Sequence, residues 1–203
     1  MADNYSLPYR VLVFDDQIGL SSWGNLTVAL LKQQEYDAIH VSKWDDAVKQ
    51  LGSGHFDIVV VDLDLGTPKD GMDFFRLLRK TNMILPVVLA TGSIGFLERP
   101  ISYYADVLSL GPVSFYMKTP DDDFLKAIKE ASNRVDPVRR SLSLLSAAGM
   151  GRKSFLVGKK VYTVDDLLAS NEMTDSLIRS LRESLQALVL EIKCSASKGG
   201  SGE

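Results

Sequence analysis

Five short runs of β-branched and aliphatic residues, each followed by an amphipathic stretch, constrain this chain more than any other feature. Residues 10–14, 36–41, 57–61, 86–90 and 113–117 read as strands. The third and fourth runs are almost continuously apolar, as expected of strands covered on both faces. Helical patterns follow at 26–34, 43–51, 71–80, 101–110 and from Asp121-Asp122-Asp123, acids suited to a helix N-terminus, to about Arg134. Five βα units in succession require parallel strands joined by right-handed crossovers.

The expected fold is therefore α/β, a flavodoxin-like, doubly wound, five-stranded parallel sheet of order 2-1-3-4-5. It occupies residues 1–136, and a small C-terminal α/β appendage, an output or interaction segment, takes 137–203. The division falls at Asp136-Pro137, because the residue before proline leaves the helical region and proline suits a first helical turn. Beyond it, the pattern predicts a helix from Pro137 to Ala148 that stops at Gly149, and two short strands within 153–163 around Gly158. Thr163-Val164-Asp165-Asp166 has the layout of an N-cap with acids behind it. A last helix is expected over 174–193 and a disordered Gly/Ser/Lys-rich tail over 195–203. No internal repeat shows.

Composition bounds the rest. A chain of 203 residues with 45% apolar content buries one good core and little more. It has no 18-residue apolar run and no signal-like N-terminus, and its single Cys194 can form no internal disulfide, so a cytoplasmic, reducing location is expected. Residues 1–136 carry 13 basic and 19 acidic side chains (−6), and 137–203 carry 10 and 7 (+3). That split is too mild to announce nucleic-acid binding, whose domains run far more basic.

In a doubly wound sheet, ligands bind beyond the carboxyl ends of the strands where the strand order reverses. The residues that meet there are Asp15 and Asp16 after the first strand, Asp62 at the third, Thr91 after the fourth and Lys118 after the fifth. Such hard oxygen donors suit Mg²⁺, which keeps waters that a phosphate can replace. A carboxylate can attack phosphorus and become an acyl phosphate, and positioning with charge neutralisation supplies the rest.

The motifs Val-Leu-Val-Phe-Asp15-Asp16, Asp-Ile-Val-Val-Val-Asp62-Leu-Asp64 with Asp70-Gly71-Met72-Asp73, Pro86-Val-Val-Leu-Ala-Thr91-Gly92 and Val-Ser-Phe115-Tyr-Met-Lys118-Thr-Pro120 occur in that order. Over residues 8–135 the chain resembles the receiver domain of two-component response regulators. The resemblance implies that Asp62 is the phosphoacceptor and that Asp15, Asp16 and Asp62, with the backbone carbonyl of Asp64, bind Mg²⁺. It further implies that Thr91 and Lys118 hold phosphoryl oxygens. Phe115 reads equally as a plain core aromatic or as the family's aromatic switch. The implied partners are a sensor histidine kinase or phosphotransfer protein upstream and an unknown protein downstream. The chain departs from the family's usual spacing in three longer loops, over 17–25, 62–70 and 91–111, the last altering the fourth-helix face.

Two other motif readings compete. Asp62-Leu-Asp64-Leu-Gly-Thr67 looks like the nucleophile motif of haloacid-dehalogenase-like phosphatases, but Leu65 breaks its spacing. Gly149 to Ser154 lacks P-loop spacing. His40 and His55 read as ordinary surface or satisfied residues. A DNA-binding transcription regulator is the main alternative function, although the basic pairs of 137–203 are scattered and no helix-turn-helix pattern shows. Ile178, Leu181, Leu185, Leu188 and Ile192 form a two-heptad apolar seam that packs within its own chain or pairs with a second copy as a homodimer.

Overall fold

The computed structural model describes residues 8–169 except 54, 67, 68, 83, 97, 158 and 159; the last expected helix, its apolar seam and the tail lie outside the described residues. The chain divides into two compact units between Val135 and Asp136.

In the first unit strands and helices alternate strictly: β1 (Arg10–Phe14), α1 (Trp23–Gln33), β2 (Asp37–Val41), α2 (Trp44–Ser53), β3 (Ile58–Asp62), α3 (Gly71–Thr81), β4 (Val87–Thr91), α4 (Ile101–Ser109), β5 (Val113–Met117) and α5 (Phe124–Asn133). The strands form one parallel sheet of order β2-β1-β3-β4-β5. Alternation along each strand sends side chains to opposite faces. Leu12, Phe14, Val59, Val61 and Leu89 face α2, α3 and α4 through Ala47, Phe74, Phe75, Leu78 and Val107. Val11, Val13, Val60, Val88 and Ala90 face α1 and α5 through Leu31, Ala127, Ile128 and Ala131. The sheet is thus buried on both sides, which is why its central strands read as unbroken apolar runs.

Most boundaries differ from the sequence pattern by a residue or a few, and two of the shifts have a clear local cause. β4 begins at Val87 because Pro86 has no N–H for the ladder and contributes only its carbonyl, to Val59. Its other end reaches Thr91, opposite Met117. α1 begins at Trp23 rather than Leu26, because the Ser22 hydroxyl caps it by accepting from the Asn25 N–H at 3.3 Å. Residues that read as loop are therefore the helix's first turn, at the rim of the sheet.

The second unit contains α6 (Pro137–Leu145), an antiparallel hairpin of β6 (Ser154–Val157) and β7 (Lys160–Thr163), and α7 (Val164–Ala169). Asp136 caps α6, accepting from the Arg139 N–H at 2.8 Å with Pro137 in the first turn. Regular α-helix ends at Leu145, three residues before the expected stop at Ala148, and a wide turn over Ser146–Met150 carries the chain to Gly149, whose φ of +79° breaks the helical path. Thr163 and Asp166 cap α7 reciprocally, at 3.0 and 2.9 Å. Val138, Leu142, Leu145, Val164 and Leu167 make the small core beneath them.

Candidate functional site

The carboxyl ends of β1 and β3 bring three carboxylates together. Asp15, Asp16 and Asp62 each offer an oxygen within 4.8 Å of the other two. Asp15 and Asp62 are fully buried. Burying anions side by side is costly unless something positive joins them. Lys118, at the end of β5, supplies one cation: its Nζ donates to Asp62 Oδ2 at 2.5 Å. Even so, the Asp62 carboxyl is raised to about 6, chiefly by burial and further by its hydrogen bond with Asp15, against the pull of Lys118. Three hard oxygen donors this close together, one of them a buried carboxyl, fit a divalent cation, which would relieve the crowding.

Backbone donors fix the individual carboxylates. The Gly24 N–H, in the first turn of α1, donates to Asp15 Oδ2 at 2.7 Å, and the Gly66 N–H to Asp16 Oδ2 at 2.6 Å. Asp62 Oδ1 accepts from the Asp64 N–H at 3.0 Å. A Cβ at Gly24 would press on Asp15 Oδ2 and the His40 ring, and both side chains would have to shift. Gly71 is more tightly constrained: a Cβ would strike the Asp62 carbonyl oxygen of the backbone itself, where α3 starts against the end of β3. Asp70 caps that helix reciprocally with Asp73. The Asp70-Gly71 pair therefore shapes the loop that follows Asp62.

Thr91 is buried at the end of β4, and its Oγ donates to Asp64 Oδ2 at 2.7 Å. The Gly92 N–H reaches the same oxygen at 2.7 Å. Phe115 stands away from the carboxylates, half-buried in an aromatic cluster with Phe96 and Tyr104, ring centroids 5.7 Å from each. Phe96 comes from the long segment between β4 and α4, so the extra residues there fill space beside the aromatic of β5.

The stretch of chain that builds this rim matches a known family. A model of the response regulator receiver domain fits residues 11–129, more than half the chain. The chain belongs to that family. Solved receiver-domain structures share the fold: one from Clostridium thermocellum (24% identity, TM-score 0.52, covering 62% of this chain and 95% of that one), one from Pseudomonas putida (22%, 0.51, 63% and 98%) and one from Methanospirillum hungatei (18%, 0.51, 63% and 96%). At such identities the likeness is one of fold. No curated protein matches. The receiver family is one of signalling phosphoacceptors in two-component systems, partners of histidine kinases or phosphotransfer proteins, and the haloacid-dehalogenase-like reading falls with the match. No helix among the described residues is long and apolar enough to cross a membrane.

Several participants in the receiver's site escape a reading by strand ends. Trp23 lays its ring under Lys118, with Nζ 4.1 Å from the centroid, stacks with Tyr116 and meets Phe124 edge-on. His40, which reads as an ordinary residue, braces the acidic loop: its Nε2 lies 2.8 Å from the Asp15 carbonyl oxygen and its Nδ1 3.1 Å from Asn25 Oδ1. The Asp64 carboxylate, not only its backbone, takes part. The one available signal was the longer loop over 17–25, which carries Trp23, Gly24 and Asn25.

Proposed function

We propose that this receiver is a response regulator that accepts a phosphoryl group on Asp62 and passes the change on through a protein–protein contact made by its C-terminal segment. The observation that carries the reading is Lys118 Nζ held on Asp62 Oδ2, inside a pocket where the Asp15, Asp16 and Asp62 oxygens lie within 4.8 Å. An ionised Asp62 oxygen attacks the phosphorus of the donor. The bond from phosphorus to the donor's imidazole nitrogen, or to acetate in acetyl phosphate, breaks and its electrons leave with that group. Asp15, Asp16, Asp62 and the Asp64 backbone carbonyl would hold Mg²⁺. The metal would neutralise charge on the transferred oxygens. Lys118 then passes from the carboxylate to a phosphoryl oxygen, a charge-assisted pair it is already aimed to make. Thr91 donates to another phosphoryl oxygen, and Phe115 moves with it as the aromatic switch.

The upstream partner on this reading is a histidine kinase or phosphotransfer protein in the cytoplasm. Residues 1–136 form the receiver and 137–203 the output. A protein partner downstream is favoured over DNA because the basic residues of 137–203 are scattered pairs, such as Arg139-Arg140 and Arg152-Lys153. Acetyl phosphate with Mg²⁺ should add one phosphoryl group to the intact protein, seen by mass. Chelator should prevent it and Asp62→Asn should abolish it. Equal labelling of the variant would refute the assignment.

A further inference from the structure

The two donors at the end of β4 are already in use. The Thr91 hydroxyl and the Gly92 N–H converge on a single carboxylate oxygen, Asp64 Oδ2, each at 2.7 Å. Two donors aimed at one anionic oxygen are how a protein binds an oxyanion, and here the oxyanion belongs to the chain itself. The hydroxyl has one proton to give. Its oxygen also accepts from the Ser93 N–H at 3.0 Å, which fixes its rotamer. While Thr91 donates to Asp64 it cannot donate to a phosphoryl oxygen on Asp62. The two sites are mechanically close as well, since the Asp64 N–H donates to Asp62 Oδ1 at 3.0 Å.

We propose that the Asp64 carboxylate is a built-in competitor of the phosphoryl group: it clasps the Thr91 hydroxyl and the Gly92 amide in the unphosphorylated protein, and releases the hydroxyl when Asp62 is modified. This rests on Asp62 being the acceptor, and it gives the Asp64 side chain a positioning role separate from that of its backbone carbonyl. Both competitors are anions seeking the same proton, so one displaces the other and neither binds beside it. The clasp therefore holds Thr91 in its resting place and sets how strongly a phosphoryl group must pull to move it. Asp64 lies exposed on the rim, so the side chain can swing into water once released.

Trifluoroberyllate, in which an aspartate oxygen replaces a water or fluoride ligand on beryllium to give a tetrahedral stand-in for phosphoryl, tests the clasp. The full chain is titrated with beryllium fluoride at saturating Mg²⁺, following the Gly92 amide by NMR, in wild type, Asp64→Asn and Asp64→Ala. Both variants lose the charge, but only asparagine keeps an oxygen that can accept from Thr91 and Gly92. The clasp predicts binding about tenfold tighter in Asp64→Ala, with Asp64→Asn between it and wild type, as follows from removing a charge-assisted hydrogen bond. The Gly92 amide proton should also move upfield in ligand-free Asp64→Ala. Equal tightening in both variants would mean simple charge repulsion and overturn the clasp, and so would no tightening in Asp64→Ala. Should Asp64→Ala fail to fold, Asp64→Leu, equally without an acceptor, takes its place. Wild type that takes no trifluoroberyllate would overturn the acceptor reading and the clasp with it, whereas binding unaffected by Asp64→Ala sinks the clasp alone.

Discussion

The two ends of the receiver's sheet both bury charge, and they treat it in opposite ways. At the amino ends of the strands, charges are answered by the backbone. The Arg79 guanidinium, 3% exposed, donates to the carbonyl oxygens of Leu85 at 2.6 Å, Pro112 at 2.7 Å and Asn82 at 3.2 Å. It also lies over the Phe75 ring, 4.7 Å from its centroid. Burial lowers it to about 10, which still leaves it charged at neutral pH. Arg134 donates to the Val113 carbonyl at 2.6 Å, and Asp57 accepts from the Arg10 N–H at 2.9 Å. At the carboxyl ends, by contrast, Asp15, Asp16 and Asp62 face one another with Lys118 as their near cation. Charge answered by neighbouring carbonyl dipoles locks elements together, whereas crowded charge of one sign stores an affinity for a cation. The same sheet is a fastening at one end and a receptor at the other.

That contrast breaks most visibly if Lys118→Ala is compared with Arg79→Met. Lys118→Ala should keep the fold yet uncouple acetyl phosphate treatment from any change in the protein's partner binding or amide spectrum. An unaltered phosphorylation-dependent response would place the lysine outside the switch. Arg79→Met should do the reverse. It leaves three carbonyls without their donor and should cost about 2–4 kcal/mol in denaturant unfolding, with labelling of Asp62 at its normal extent. A neutral Arg79→Met, or one that folds but cannot be labelled, would erase the distinction between the two ends.

Acidity sharpens the receptor end. Because the folded protein holds the Asp62 proton up to about pH 6 while the unfolded chain releases it near 3.8, the folded state binds more protons between those values. Stability of the metal-free protein should be fully present below the unfolded value and fall as pH rises towards 6, by on the order of 2 kcal/mol. Asp62→Asn should lose this slope and be the more stable protein at pH 7. Added Mg²⁺ should raise the wild-type melting temperature at pH 7 by mass action. A flat pH profile in metal-free wild type would mean the carboxylates are not crowded.

The smallest effect belongs to the surface. Arg10 Nε meets Asp37 Oδ2 at 3.2 Å with both side chains well exposed, so Asp37→Asn should change stability by less than about 1 kcal/mol. A larger loss would show that even the outer fastenings of the amino ends are structural.

The sequence by itself determined the periodic elements and the parallel sheet, because strands buried on both faces must be apolar throughout and βα repetition admits few topologies. It also placed Asp15, Asp16, Asp62, Thr91 and Lys118 on one rim, since each stands at or just past the end of a strand, and it marked the break at Asp136-Pro137 and the cap at Thr163. What it could not reach were contacts that depend on where two distant segments meet. Trp23 gives no periodic signal, and it reaches Lys118, 95 residues away in the chain, only because Ser22 starts α1 beside the end of β5. His40 alternates in β2 like any half-buried residue, and its hold on the Asp15 loop comes from β1 and β2 lying in parallel register. The resemblance implies only a backbone role for Asp64. Its carboxylate meets Thr91 and Gly92 because β3 and β4 are neighbours in the sheet. Strand ends are one-dimensional facts, but a hydrogen bond between loops is set by the distance across the sheet, which only the packed structure decides.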